Sequence, residues 1–191
     1  MGKRGRTDTN MILDATAGNR TMYVTKQADN IIYIDMEKRL EVKPTIFCDH
    51  HHTPFPDHTF DTIIYDPPHS WFEGDFYYTF PDKKSLKEMY PSARDSAPRY
   101  YGWDKIKNKS HLYHHIFDAN KEFYRILKPD GLLWLKWNEM KVTLKSLMQV
   151  FEMWNVLLRI YVKAPSQTAG TKQTYWVAFI KKRMMKQSTL V

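Results

Sequence analysis

Thr62-Ile63-Ile64-Tyr65-Asp66-Pro67-Pro68-His69 is a short apolar run that stops on an aspartate and two prolines. A continuous run of β-branched and aromatic residues of this length suits a strand buried on both faces. Three earlier runs share the form: Met11-Ile12-Leu13 ends on Asp14, Asn30-Ile31-Ile32-Tyr33-Ile34 on Asp35, and Thr45-Ile46-Phe47-Cys48 on Asp49. Strands buried on both faces imply a largely parallel sheet covered by helices. In such sheets ligands bind outside the carboxyl ends of the strands. One aspartate at a strand end is an ordinary turn former or helix cap; four in succession point to a ligand crevice.

Beyond these runs, Lys109 to Leu127 reads as an amphipathic helix, with Leu112, Ile116, Phe123, Ile126 and Leu127 supplying its apolar contacts. Lys128-Pro129-Asp130-Gly131 reads as a breaker, followed by a fifth strand over Leu132 to Trp137. Val142 to Trp154 is expected to form a second amphipathic helix. Leu157 to Val162 and Tyr175 to Ile180 read as strands joined by a polar loop around Gly170. So short a connection leaves no room for a crossover, so the pair is expected to be antiparallel. Ser70 to about Lys109 breaks the alternation and carries ten aromatic residues, from Trp71 to Trp103, with Pro81, Pro91 and Pro98 among them. It follows the fourth aspartate directly and is expected to overhang the crevice as a lid or substrate-recognition loop.

The chain has 191 residues, enough for a single domain spanning 1–191, with the insertion at about 70–109 and a basic, flexible tail from about residue 181. No apolar stretch is long enough to cross a bilayer, no secretory signal follows the basic first residues, and Cys48 is the only cysteine. A cytoplasmic location with no membrane partner is the expectation. Lysine and arginine outnumber acidic residues 29 to 21, a net charge of +8 with a pI of about 9.4. That balance favours a polyanion partner such as nucleic acid, although part of it comes from residues near the two ends.

The prolines after Asp66 fix the backbone and remove two N–H donors. What remains at the strand mouth is a carboxylate, carbonyl acceptors and the flat ring of His69. This set suits an NH2 group held by both hydrogens while a ring stacks on its plane. A conjugated amino nitrogen is a poor nucleophile because its lone pair is delocalised. Accepting its hydrogens at Asp66 and the Pro67 carbonyl would free that pair, and the carboxylate would stabilise the developing positive charge. The plainer reading of Asp-Pro-Pro is a rigid turn.

Asp66-Pro67-Pro68-His69 resembles the Asp/Asn/Ser-Pro-Pro-aromatic motif of the class I, Rossmann-like methyltransferases that act on amino groups, such as N6-adenine and N4-cytosine methyltransferases of DNA and RNA. The resemblance runs from about Met11 to Lys182. It implies an α/β fold with a seven-stranded, mostly parallel sheet, an antiparallel last strand and helices on both faces. It also implies S-adenosylmethionine as cofactor, S-adenosylhomocysteine as product, and no metal. The catalytic residues would be Asp66, Pro67, Pro68 and His69, with His69 standing where the group more often has Tyr, Phe or Trp. Asp14-Ala15-Thr16-Ala17-Gly18-Asn19-Arg20 is similar to the family's cofactor loop but poorer in glycine. Arg20 or Lys26 would pair with the methionine carboxylate. Asp35 would hold the ribose hydroxyls, Asp49 the adenine amino group, and His50 would border the adenine. Asp49 to Thr62 resembles the family's Pro-Phe-Pro-Asp-x-x-Phe-Asp run.

The expected reaction is methylation of an exocyclic amino group on a nucleic-acid base. Adenine N6 in DNA comes first, ahead of RNA adenine, cytosine N4 and guanine N2. An amide N-methyltransferase acting on protein and a non-catalytic cofactor-binding subunit are the alternatives, and a homodimer or partner subunit is left open. His50, His51 and His52, with His111, His114 and His115, bring a zinc site to mind, but no cysteine pair or His-Glu-x-x-His motif completes one. Cys48 has no cationic neighbour in sequence to activate it as a nucleophile, and Lys136 is either a phosphate contact or a solvated strand end.

Overall fold

A computed structural model describes residues 10–71, 105–162 and 173–182. Seven strands form one sheet: β1 (Ile12–Asp14), β2 (Ile31–Asp35), β3 (Ile46–Phe47), β4 (Phe60–Tyr65), β5 (Leu127–Asn138), β6 (Trp154–Val162) and β7 (Thr174–Lys181). Their order is β3-β2-β1-β4-β5-β7-β6. The first five pair in parallel, and β7 runs antiparallel to both β5 and β6. The strand order reverses at β1 and β4, the switch point at which α/β sheets open a crevice beyond their carboxyl ends. All four aspartates of the sequence pattern close strands on that edge: Asp14 and Asp35 end β1 and β2, while Asp49 and Asp66 follow β3 and β4.

One face of the sheet carries the core. Leu13, Ile63, Leu133 and Phe179 are cross-strand neighbours with no solvent exposure. They share their cluster with Leu112, Ile116, Ala119 and Phe123 of helix α1 (Lys109–Ile126). The Phe123 ring meets Tyr65 of β4 edge-on, with centroids 4.8 Å apart. Asn108 caps α1, its side chain accepting from the His111 N–H. At the other end Arg125 bonds Glu122, the Phe55 carbonyl and Asp57, and Glu122 in turn accepts from the Thr53 N–H and hydroxyl. That network ties the Pro54-Phe55-Pro56-Asp57 run to the last turn of α1.

Helices cover the sheet less fully than the expectation of helices on both faces. Among the described residues there are α1, the one-turn α2 (Leu144–Leu147) and a 3-10 turn at Met148–Val150. The connections β1 to β2, β2 to β3 and β3 to β4 contain turns only. Over Tyr33 of β2 the cover is a loop: the Arg20 guanidinium lies 3.7 Å from its ring centroid, and Tyr23 meets it edge-on. The helix expected over Val142 to Trp154 stops early because Trp154 already begins β6. Lys128-Pro129-Asp130-Gly131 does not separate helix from strand. Phe60 pairs with Leu127 and Thr62 with Leu132, so these four residues bulge within the β4–β5 ladder. Lys181, placed at the start of a basic tail, is instead the buried end of β7, its Nζ donating to the Leu127 carbonyl. The aromatic insertion, apart from its first and last residues, lies outside the described residues, as does the Gly170 loop.

Candidate active site at the switch point

The loop after β1 continues the sheet's hydrogen bonding into the crevice. The Ala15 N–H donates to the Ile64 carbonyl at 2.9 Å, and the Ala17 N–H to the Ile34 carbonyl at 3.1 Å. Ala15 and Ala17 are buried. Thr16 between them takes the Asp66 N–H on its hydroxyl at 2.8 Å, so the loop fixes the backbone of the motif aspartate directly. Gly18 has φ +50°, a left-handed conformation that favours glycine, and a Cβ built there meets nothing within 4 Å. Its N–H donates to Asp35 at 2.9 Å.

Asp14 is fully buried and accepts from the Tyr23 hydroxyl and the Thr16 N–H. Burial pushes its carboxyl up to about 6; the bonds from Tyr23 and Thr16 oppose the rise, while the charges of Asp66 and Asp35 add to it. Three carboxylates therefore share one mouth.

Asp66 has a side chain 8% exposed, and its Oδ2 accepts from Lys136 Nζ at 2.7 Å. Its Oδ1 is buried with no hydrogen-bond partner among the described residues. Pro67 and Pro68 are buried. His69 faces the Pro67 carbonyl through Nδ1 at 3.2 Å and meets Trp137 edge-on at 6.1 Å. Burial pushes the imidazole below its ordinary range and Lys136 adds to that, against the opposing pull of Asp66; His69 is neutral at neutral pH. The four motif residues thus stand together, with Lys136 as a fifth member. Register could have found Lys136: Tyr65 pairs with Leu135, and one step on lies the Asp66–Lys136 pair.

The residues expected to bind a cofactor divide. Asp14, Ala15, Thr16, Ala17, Gly18 and Asp35 border the mouth of β1 and β2. Asp35 accepts from the Gly18 and Glu37 N–H groups, so it shapes the loop, and each oxygen keeps a second lone pair. Arg20 is 5% exposed and donates through Nη1 and Nη2 to the Lys26 and Lys43 carbonyls while covering Tyr33, its buried Nε having no partner among the described residues. Lys26 donates to the Arg20 carbonyl. Arg20 and Lys26, one or other of which was expected to pair with a carboxylate, both bond backbone carbonyls of the loop that stands in place of a helix.

Asp49 accepts from the His51 N–H and from His51 Nδ1, the latter at 2.6 Å. Burial raises its carboxyl, but the His51 bonds outweigh it and hold it below the usual range. His50 is packed against Tyr65 and Phe123. Burial raises the Cys48 thiol, which suits no nucleophile.

No family model matches the sequence, and no curated protein matches it. Solved structures do. A TehB-like S-adenosylmethionine-dependent methyltransferase from Corynebacterium glutamicum aligns at TM-score 0.51 and 16% identity, over 91% of this chain and 81% of its own. The N-methyltransferase NodS from Bradyrhizobium japonicum aligns at TM-score 0.50 and 12% identity, over 91% and 85%. The cyclase SpnF aligns at TM-score 0.54 and 12% identity, over 92% and 76%. The chain has the Rossmann-like fold of class I methyltransferases. A cyclase with the same fold shows that activity must be argued from the site.

Proposed function

We propose that the chain is an S-adenosylmethionine-dependent methyltransferase acting on an exocyclic amino group of a nucleic-acid base, adenine N6 in DNA first. The observation that carries this reading is Asp66: a buried carboxylate at the switch point, held by Lys136 through one oxygen and presenting the other, which has no partner among the described residues.

The residues present fit the cofactor. Three converging carboxylates make a negative mouth suited to a cation, and the space at Gly18 admits close approach of a ligand to the backbone. Asp14, Asp35 and the Ala15 to Gly18 loop would line it, with Asp49 towards its base. When bound, S-adenosylmethionine supplies an electrophilic methyl group on a positively charged sulfur.

The chain's own residues prepare the amine. Asp66 Oδ1 and the Pro67 carbonyl accept the two NH2 hydrogens and draw the nitrogen lone pair out of conjugation. As the nitrogen becomes positive, the carboxylate stabilises it, and Oδ1 takes the proton the nitrogen sheds. Lys136 keeps the carboxylate in one rotamer. The neutral His69 ring offers a flat face for the base. A base within a duplex must first leave its stack, at a cost of a few kcal/mol. The net charge of +8 supports a polyanionic substrate.

Asp66→Asn tests the reading, with radiolabelled methyl transfer to DNA, RNA and protein pools and calorimetric cofactor titration. Transfer to nucleic acid is expected to fall by about 100-fold or more while cofactor binding persists. Near-wild-type turnover in the variant, or labelling of the protein pool alone, would refute it.

A further inference from the structure

We propose that His50, His51 and His115 form a binding site for a divalent transition-metal ion, zinc in the first instance, at the edge of the proposed cofactor mouth, with which it shares Asp49. His50 and His51 follow β3, and His115 comes from α1. Sequence spacing hides the trio, since 64 residues separate His51 from His115, and only the packing of α1 against the sheet assembles it. One ring nitrogen from each lies within 4.8 Å of the others. The ring centroids are 4.3 Å apart for His50 and His51, 4.4 Å for His51 and His115, and 5.1 Å for His50 and His115.

Two of the three rings carry an orphan nitrogen: Nε2 of His50 and Nε2 of His115 are buried with no hydrogen-bond partner among the described residues. A buried polar atom left without a partner is destabilising, and one metal ion would satisfy both. His51 has the arrangement of a metal-ligating histidine. Its Nδ1 meets the Asp49 carboxylate at 2.6 Å, the outer partner that orients such rings. Its Nε2 now faces the His115 carbonyl at 3.0 Å and would turn from that oxygen to the ion.

Three imidazole nitrogens at about 2.0–2.1 Å from a tetrahedral ion lie roughly 3.3 Å apart. The trio must therefore tighten, by a shift of under about 1 Å per ring. Imidazole favours zinc, copper, nickel and cobalt over magnesium or calcium. The fourth position would take water, and access is from the side of His51 and Asp49, whose side chains are 17% and 41% exposed.

The test uses the full chain stripped of metal with a chelator, then titrated with zinc against a chromophoric competitor. Cobalt replaces zinc in a parallel titration read by visible absorbance. One equivalent is expected to bind with sub-micromolar affinity, and cobalt is expected to give the intense bands of a four-coordinate site. Asp49→Asn should weaken zinc by about 10- to 100-fold, and His50→Asn and His115→Asn by more. The exposed helix histidines serve as the control: the double variant His111→Ala, His114→Ala should bind as wild type. Circular dichroism checks that each variant folds; the cobalt spectrum of the wild type decides the matter if one does not. No tight equivalent, an octahedral cobalt spectrum, or affinity lost in the control and kept in His115→Asn would overturn the proposal. Because these readouts involve no methyl transfer, failure of the methyltransferase reading leaves them unaffected.

Discussion

Asp14 carries a cost that the rest of the mouth must offset. Between pH 3.8 and about 6 the folded protein holds a proton at this carboxyl that the unfolded chain has released. Stability therefore falls as pH rises through that window and then levels off. At about 1.4 kcal/mol for each tenfold change in equilibrium, the carboxylate costs about 3 kcal/mol above pH 6. Asp14→Asn removes the charge but weakens the bonds from Tyr23 and Thr16, a loss of about 1 kcal/mol. Guanidinium unfolding should show the variant stabilised by about 2 kcal/mol at pH 7.5, with that advantage gone by pH 4. A gain that does not vary with pH would assign the penalty elsewhere. Residue roles were unevenly legible. Asp66 announced itself by its prolines, but its pairing with Lys136 needed the β4–β5 register. Arg20 looked available for a ligand because sequence does not reveal which backbone carbonyls a cation will meet.

At the level of elements, strands were read more securely than helices. All seven strands lie close to where the apolar runs fall, although β6 is exposed from Asn155 to Val162, so its run records strand propensity and not burial. The cover between strands is a tertiary decision: 16 residues from Ala15 to Asn30 could hold a helix, yet they form turns clamped by Arg20. The Lys128 to Gly131 stretch lies inside the β4–β5 ladder, which its residues do not reveal, because proline and glycine signal a break without saying whether it falls outside a ladder or within one. Gly131 is there for space. A Cβ would lie 2.7 Å from Leu127 Cγ and 2.9 Å from the Asp61 carbonyl oxygen, both fixed by packing. Gly131→Ala is expected to cost about 1–3 kcal/mol, seen as a lowered melting temperature with the fold retained. An unchanged melting temperature would mean the bulge can shift freely.

Across the whole molecule, charge makes the sharpest distinction between substrates. Each phosphate neutralised on duplex DNA contributes a slope of about −0.9 in log affinity against log salt, so two contacts already predict about a tenfold loss from 50 to 200 mM. The KM for DNA should rise by about that factor while kcat stays level; a KM insensitive to salt would point away from a polyanion. No helix among the described residues is long and apolar enough to cross a membrane.

Sequence by itself determined the strands, the edge on which the aspartates gather and the rigid Asp-Pro-Pro turn, because burial periodicity and proline geometry are local properties. Tertiary structure alone decided which cations reach Asp66, what replaces the missing helices, and that His115 meets His50 and His51. Those contacts join residues far apart in the chain, and their partners are chosen by the packing of α1 and β5 against the sheet, which no local pattern encodes.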